Sequence, residues 1–238
     1  MSIRSLMRRS SSSAVFSIIA FCLAGLIATP AAADRRDKAE QTVREAELVL
    51  EAFSRDDQYR WLWKNARTAR ALVVIPTSVR AGFLIGASGG NGVMIARRDD
   101  GTWSPPSFVR LSSVQFGFVA GGEVSDIVLA VMTERGMNQL LSSTVKLGAD
   151  VGIAAGPVGG GAKAQTADIL AYTKSQGLYG SVSVEGVVVK VNNKWNRAYY
   201  GRDISPLDIV YKGAASNPQS TALRQAAVAL ATRRIAYD

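Results

Sequence analysis

The chain has 238 residues, 47% hydrophobic and 20% charged, an ordinary globular mixture with enough length for one sizeable core. It contains no histidine and a single cysteine, Cys22. That removes the usual general base, the commonest metal ligand and the partner a serine nucleophile normally needs. Twenty-eight lysines and arginines against 19 acids give a net charge of +9, which points to anionic partners without choosing among them.

Residues 1–33 read as a secretory signal peptide. Arg4, Arg8 and Arg9 form a positive start, the stretch from Ala14 to Ala28 is apolar, and Ala31-Ala32-Ala33 supplies a cleavage site of small residues. The apolar stretch is shorter than the ~20 residues a membrane-spanning helix needs. Cys22 follows Phe21, where a lipidation signal wants a small residue. The remaining chain, 34–238, then has no cysteine and still carries +6. It is expected outside the cytoplasm, periplasmic or secreted, with a core that holds without disulfides.

Residues 34–57 form a helical segment: Val43, Ala46, Leu50 and Phe53 recur at helical spacing. Tyr59, Leu62, Trp63 and Ala66 draw a second helical stripe, which Asp56 or Asp57 can cap. From Ala71 the texture becomes strand-like. "ALVVIP" is expected to stop at Pro76, and "AGFLIG" and "GVMIARR" follow as separate strands. "DDG" (99–101) is a turn, and two runs between Ser112 and Thr133 are split by Gly121-Gly122. Glu134 to Ser143 suggests a short helix. Residues 147–156, 168–175 and 177–191 suggest more strands, and 213–238 holds a C-terminal helix with Leu223, Ala227, Leu230 and Ala231 in register. The sum is a single α+β domain. Its sheet is mainly antiparallel, strongly curved and curled toward a barrel, with helices at both ends.

Chemical motifs are weak. Gly86-Ala87-Ser88-Gly89-Gly90 matches the serine-hydrolase elbow but lacks a histidine, so Gly86 to Gly92 reads better as a sheet corner. Ser143 to Lys146 matches S-x-x-K without its companion motifs. Residues 156–163 nearly form a phosphate loop, with Ala162 displacing Lys163 and no hydroxyl after it for magnesium. Glycine-loop amides beside Lys163 can still hold an anion. No catalytic residue, metal site or cofactor is assigned. The basic residues remain. Arg67 and Arg70 precede the first strand, and Arg97-Arg98 with Trp103 forms the densest local cluster. Arginine suits phosphate and tryptophan suits a membrane boundary. Replacing Arg97 and Arg98 by glutamine is thus expected to weaken anionic-liposome binding at little cost in stability. Nucleic acid fits the charge but finds no recognition signature.

Six segments in one order carry a resemblance. They are "ARALVVIP" (69–76), "AGFLIGASGGNGVMIAR" (81–97), "GTWSPPSF" (101–108), "GFVAGGEVSDIVLAVMT" (117–133), "LGADVGIAAGPVG" (147–159) and "YTKSQGLYGSVSVEG" (172–186). Together they resemble the SYLF domain family over residues 58–212, most nearly its secreted bacterial branch. The resemblance implies a lipid-binding module and no enzyme: members bind phosphoinositides, and some eukaryotic ones bind actin filaments. It departs at Val119, where the family pattern leads one to expect glutamine. Residues and resemblance together predict an exported, peripherally membrane-associated protein that holds anionic, phosphoinositide-like phospholipid headgroups. The candidate contacts are Arg67, Arg70, Arg97, Arg98, Trp103 and Lys163. An envelope scaffold that binds protein or glycan is the alternative.

Overall fold

The computed structural model describes residues 30–82, 85–116, 121–156, 166–176 and 186–234. Most of the expected leader, residues 1–29, lies outside them, as do Val119 and Lys163.

Helix α1 (Pro30–Arg55) buries one stripe: Ala39, Val43, Ala46, Val49, Leu50 and Phe53. Its outer face carries i,i+4 ion pairs, Lys38–Asp34 at 2.8 Å, Arg36–Glu40 at 2.9 Å and Arg55–Glu51 at 2.7 Å. The apolar residues that would have to enter a bilayer are therefore packed on the domain. A turn capped by Asp56 leads into α2 (Arg60–Ala66). The Trp63 indole donates to the Phe53 carbonyl at 2.9 Å and locks the two helices together.

Eight strands follow among the described residues: β1 (Ala71–Gly82), β2 (Ile85–Ala96), β3 (Ser107–Phe116), β4 (Gly121–Val131), β5 (Thr144–Lys146), β6 (Ile153–Ala155), β7 (Ile169–Gln176) and β8 (Val188–Val191). They form one sheet in the order β5-β8-β3-β2-β1-β4-β7-β6. Every pairing is antiparallel except β6 with β7. The two edge strands are consecutive in the chain, and the sheet curls into a half-barrel. Helices α3 (Glu134–Leu141), α4 (Asn193–Tyr200), α5 (Pro206–Val210) and α6 (Thr221–Thr232) complete the fold.

Both faces of the sheet are covered. Leu72, Val74, Val93, Ile95 and Phe108 pack under α1, α2 and α6. Val73, Ile75, Met94, Leu129 and Ile209 fill the opposite face with α3 and α5. This explains why "ALVVI" is apolar without alternation: each residue has a core to enter.

Three strand assignments differ from expectation. Pro76 does not end β1, because it sits in a bulge where pairing to β2 and β4 shifts register. A bulge is where a missing N–H is tolerated. Its neighbour Thr77 takes a left-handed φ of 54°, with its N–H donated to Asp126 Oδ1 at 3.0 Å. The glycine-rich stretch 86–92 is the interior of β2 and not a corner. A Cβ at Gly92 would lie 2.3 Å from the Val74 carbonyl oxygen, and one at Gly90 would lie 2.8 Å from Ile75 Cγ2. The bulged β1 backbone crosses close to β2, and these two positions must be bare. Residues 147–156 contribute only the short β6, after a turn in which the Lys146 N–H donates to Asp150.

Candidate functional site

Arg97 and Trp103 are neighbours, as their sequence spacing suggests, but they form an internal joint. They pair across the hairpin, and the guanidinium lies 4.5 Å from the indole centroid. Trp103 is only 2% exposed. Arg97 donates to the carbonyls of Ala66 at 2.8 Å, Gly101 at 3.3 Å and Ala69 at 3.4 Å. Burial lowers its pKa from the usual arginine value. The side chain thus ties the end of α2 to the hairpin, and little of it is left for a ligand.

The other nominated residues separate. Arg98 is half-buried, and its Nε has no hydrogen-bond partner among the described residues. Arg70 is exposed and forms an ion pair with Glu134. Arg67 is exposed and donates to the Arg233 carbonyl at 2.5 Å. Lys163 is outside the described residues.

Arg67 proves to be part of a larger surface. Arg60, Lys64 and Arg67 follow each other at i, i+4 and i+7 along α2 and just past its end, and all three are exposed. Trp61 stands beside them, 37% exposed, with Lys64 Nζ 5.0 Å from its ring centroid. The Arg67 contact brings in the end of α6, where Arg233 and Arg234 are exposed. The Arg233 guanidinium lies 5.3 Å from the Trp63 ring. None of these five cations has a carboxylate within ion-pair distance among the described residues. The helical spacing of Arg60, Lys64 and Arg67 was readable in the sequence; the arrival of residues 233–234 was not.

A second feature is an open groove of about 640 Å³ between α1 and the sheet, beside the β1 bulge. Thr42 and Glu45 of α1 form one wall, Arg110 and Ser112 of β3 another, with Gly89 and Asn91 of β2 between. The hydroxyl of Ser88, the central residue of the elbow motif, hydrogen-bonds that of Ser113 at 2.7 Å, and no nucleophile–base pair arises there among the described residues.

A family model described as "Ysc84: Las17-binding protein actin regulator" matches residues 112–230. LAS seventeen-binding protein 3 of Saccharomyces cerevisiae is 36% identical over 143 residues, covering 57% of this chain and 31% of its own length. SH3 domain-containing YSC84-like protein 1 of Homo sapiens is 34% identical over 149 residues, covering 60% of this chain and 43% of its own length. The chain therefore spans less than half the length of these relatives. No solved structure matches. The order of segments from β1 to β8, the curved sheet between terminal helices and the matched residues 112–230 together place the chain in the Ysc84 (SYLF) family.

Proposed function

We propose that the protein is a non-enzymatic module that docks on anionic phospholipid surfaces through the face made by α2 and the end of α6. The observation that carries this reading is the group Arg60, Lys64, Arg67, Arg233 and Arg234, without carboxylate partners among the described residues, with the half-exposed Trp61 beside Lys64. Unneutralised cations lower the free energy of approach to an anionic bilayer by on the order of 1 kcal/mol each. An indole on the flank of that stripe, beside Lys64, favours the headgroup boundary, where its ring is half in the apolar phase. The positive leader of residues 1–33 supports placing this surface outside the cytoplasm, in the periplasm or beyond.

The test is cosedimentation with vesicles containing phosphatidylglycerol. Changing Arg60, Lys64 and Arg67 together to glutamine removes three such contributions, and binding should weaken on the order of 100-fold. The melting temperature should change little, because Arg60 and Lys64 are exposed and Arg67 gives up a single exposed hydrogen bond, to the Arg233 carbonyl. Unchanged binding by a folded triple variant rules this face out.

A protein partner is the second reading. Leu207 and Tyr211 lie four residues apart on and just after α5, each 45% exposed, and form an apolar spot on the opposite side of the fold from α1. The name of the yeast relative LAS seventeen-binding protein 3 states that that protein binds LAS seventeen. If a protein is the ligand of this chain, Leu207→Ser with Tyr211→Ser abolishes capture of it while vesicle binding persists.

A further inference from the structure

The groove beside the β1 bulge carries two unlike charges that nothing among the described residues neutralises. Glu45 on the α1 wall accepts a hydrogen bond from Gln41 at 2.7 Å, and no cation pairs with it among the described residues. Among the described residues Arg110 on the strand wall has no carboxylate partner, and the two do not form an ion pair with each other. Arg110 also stands directly opposite Lys190 in the β3–β8 register, and both are exposed. Like charges facing each other across a strand pair are unfavourable unless an anion lies between or above them. Asn91, opposite Arg110 on the other side, has a buried Oδ1 with no donor among the described residues.

The floor is open for a reason the fold does not impose. Gly90 and Gly92 must be bare because β1 crosses them. Gly89 need not be: a Cβ there would meet only the Leu111 carbonyl oxygen at 3.5 Å, an ordinary contact, and its φ is not in the left-handed range. Gly89 is in register with Ser112, which lines the same groove. A side chain at 89 would occupy the space between the two charged walls.

We infer that this groove binds a zwitterionic phosphoethanolamine group, with its phosphate against Arg110 and Lys190 and its ammonium against Glu45 and Asn91 Oδ1. A polyphosphorylated ligand would place extra negative charge near Glu45. A neutral polyol would leave the Arg110–Lys190 repulsion unrelieved. An ammonium joined to a phosphodiester answers both walls, and the open groove has ample room for it. The group can come from a lipid headgroup or from a free metabolite. The inference does not depend on the α2 face, since its test needs no bilayer.

The experiment is calorimetric titration of the whole protein with sn-glycero-3-phosphoethanolamine and with sn-glycerol 3-phosphate. The first should bind saturably and about tenfold more tightly than the second, the scale of one charge-assisted hydrogen bond. Glu45→Gln should bring the two ligands to within about twofold, since only the ammonium contact is lost. Arg110→Gln should weaken both. Gly89→Val should abolish binding of both while the protein keeps or raises its melting temperature. Vesicles of phosphatidylethanolamine in phosphatidylcholine, against phosphatidylcholine alone, then separate the sources: retention on the former identifies a lipid headgroup, and its absence beside solution binding identifies a free metabolite. Lack of saturable binding by the folded protein overturns the assignment, as does undiminished binding by Gly89→Val.

Discussion

At the scale of single residues, the glycines and arginines divide by what their neighbours demand. Gly92 meets backbone within 2.3 Å of where a Cβ would stand, and Gly89 meets nothing closer than 3.5 Å. Gly92→Ala should therefore cost about 2–4 kcal/mol, because the obstructing atom is a strand carbonyl that cannot turn aside. Gly89→Ala should be neutral or slightly stabilising, as expected when a strand glycine gains a side chain. Chemical denaturation of the two variants checks the contrast. Arg97 is tied into the fold more tightly than its sequence context suggests. Its bonds to the carbonyls of Ala66 and Ala69 hold the end of α2 to the hairpin, so Arg97→Gln should destabilise by about 1–3 kcal/mol. Calorimetric melting would detect a loss of that size. Spacing placed Arg97 beside Trp103 correctly. It could not tell that the ring faces the core, because cation–π pairs look alike in sequence whether they are solvated or buried.

At the scale of elements, helices with a clear stripe were legible. In α1 the positions of Val43, Ala46, Leu50 and Phe53 fixed the buried face, and in α6 Leu223, Ala227, Leu230 and Ala231 did the same. The bulge in β1 was not legible, because it exists only in how β1 pairs with its two neighbours, β2 and β4, whose registers both shift there. Helix α4 was missed although Asn192 caps it, accepting from the Trp195 N–H at 3.3 Å. Its aromatic and basic composition hides the period. Two tyrosines join elements and report on them. Tyr59 donates to the Thr173 carbonyl at 2.8 Å, linking the α1–α2 turn to β7, and Tyr172 accepts from Asn65 Nδ2 at 2.6 Å, linking β7 to α2. Burial pushes both hydroxyls up to about 12. Asp56 and Asp126 add to the shift of Tyr59, and the Asn65 hydrogen bond opposes that of Tyr172. A folded-state pKa above the unfolded value of ~10 means these groups contribute fully below pH ~10. That contribution is lost as pH rises toward 12. The melting temperature should fall across this window, and Tyr172→Phe should flatten part of the fall. An unchanged profile in that variant would mean Tyr172 does not titrate as its burial demands.

For the whole molecule, the sequence specified a curved antiparallel sheet with helices at both ends, because runs such as "ALVVI" and "DIVLAV" require cover on both faces. It did not specify where the positive charge gathers. The nominated arginines were chosen for closeness along the chain, whereas the surface that forms depends on the ends of α2 and α6 meeting through Arg67 and the Arg233 carbonyl. A family described by binding and regulation is consistent with a fold whose conspicuous features are a cationic face and a polar groove. The cationic face makes a direct demand on solution behaviour. Exposed charges are screened over ~10 Å at 0.1 M salt and ~3 Å at 1 M. The decisive measurement is cosedimentation of the unmodified protein with phosphatidylglycerol vesicles as salt is raised from 0.05 M to 1 M, with phosphatidylcholine vesicles alongside. Strong binding at low salt that fades as salt rises, with little retention on phosphatidylcholine, is the result predicted. Indifference to phosphatidylglycerol at low salt, or retention that salt does not weaken, contradicts it.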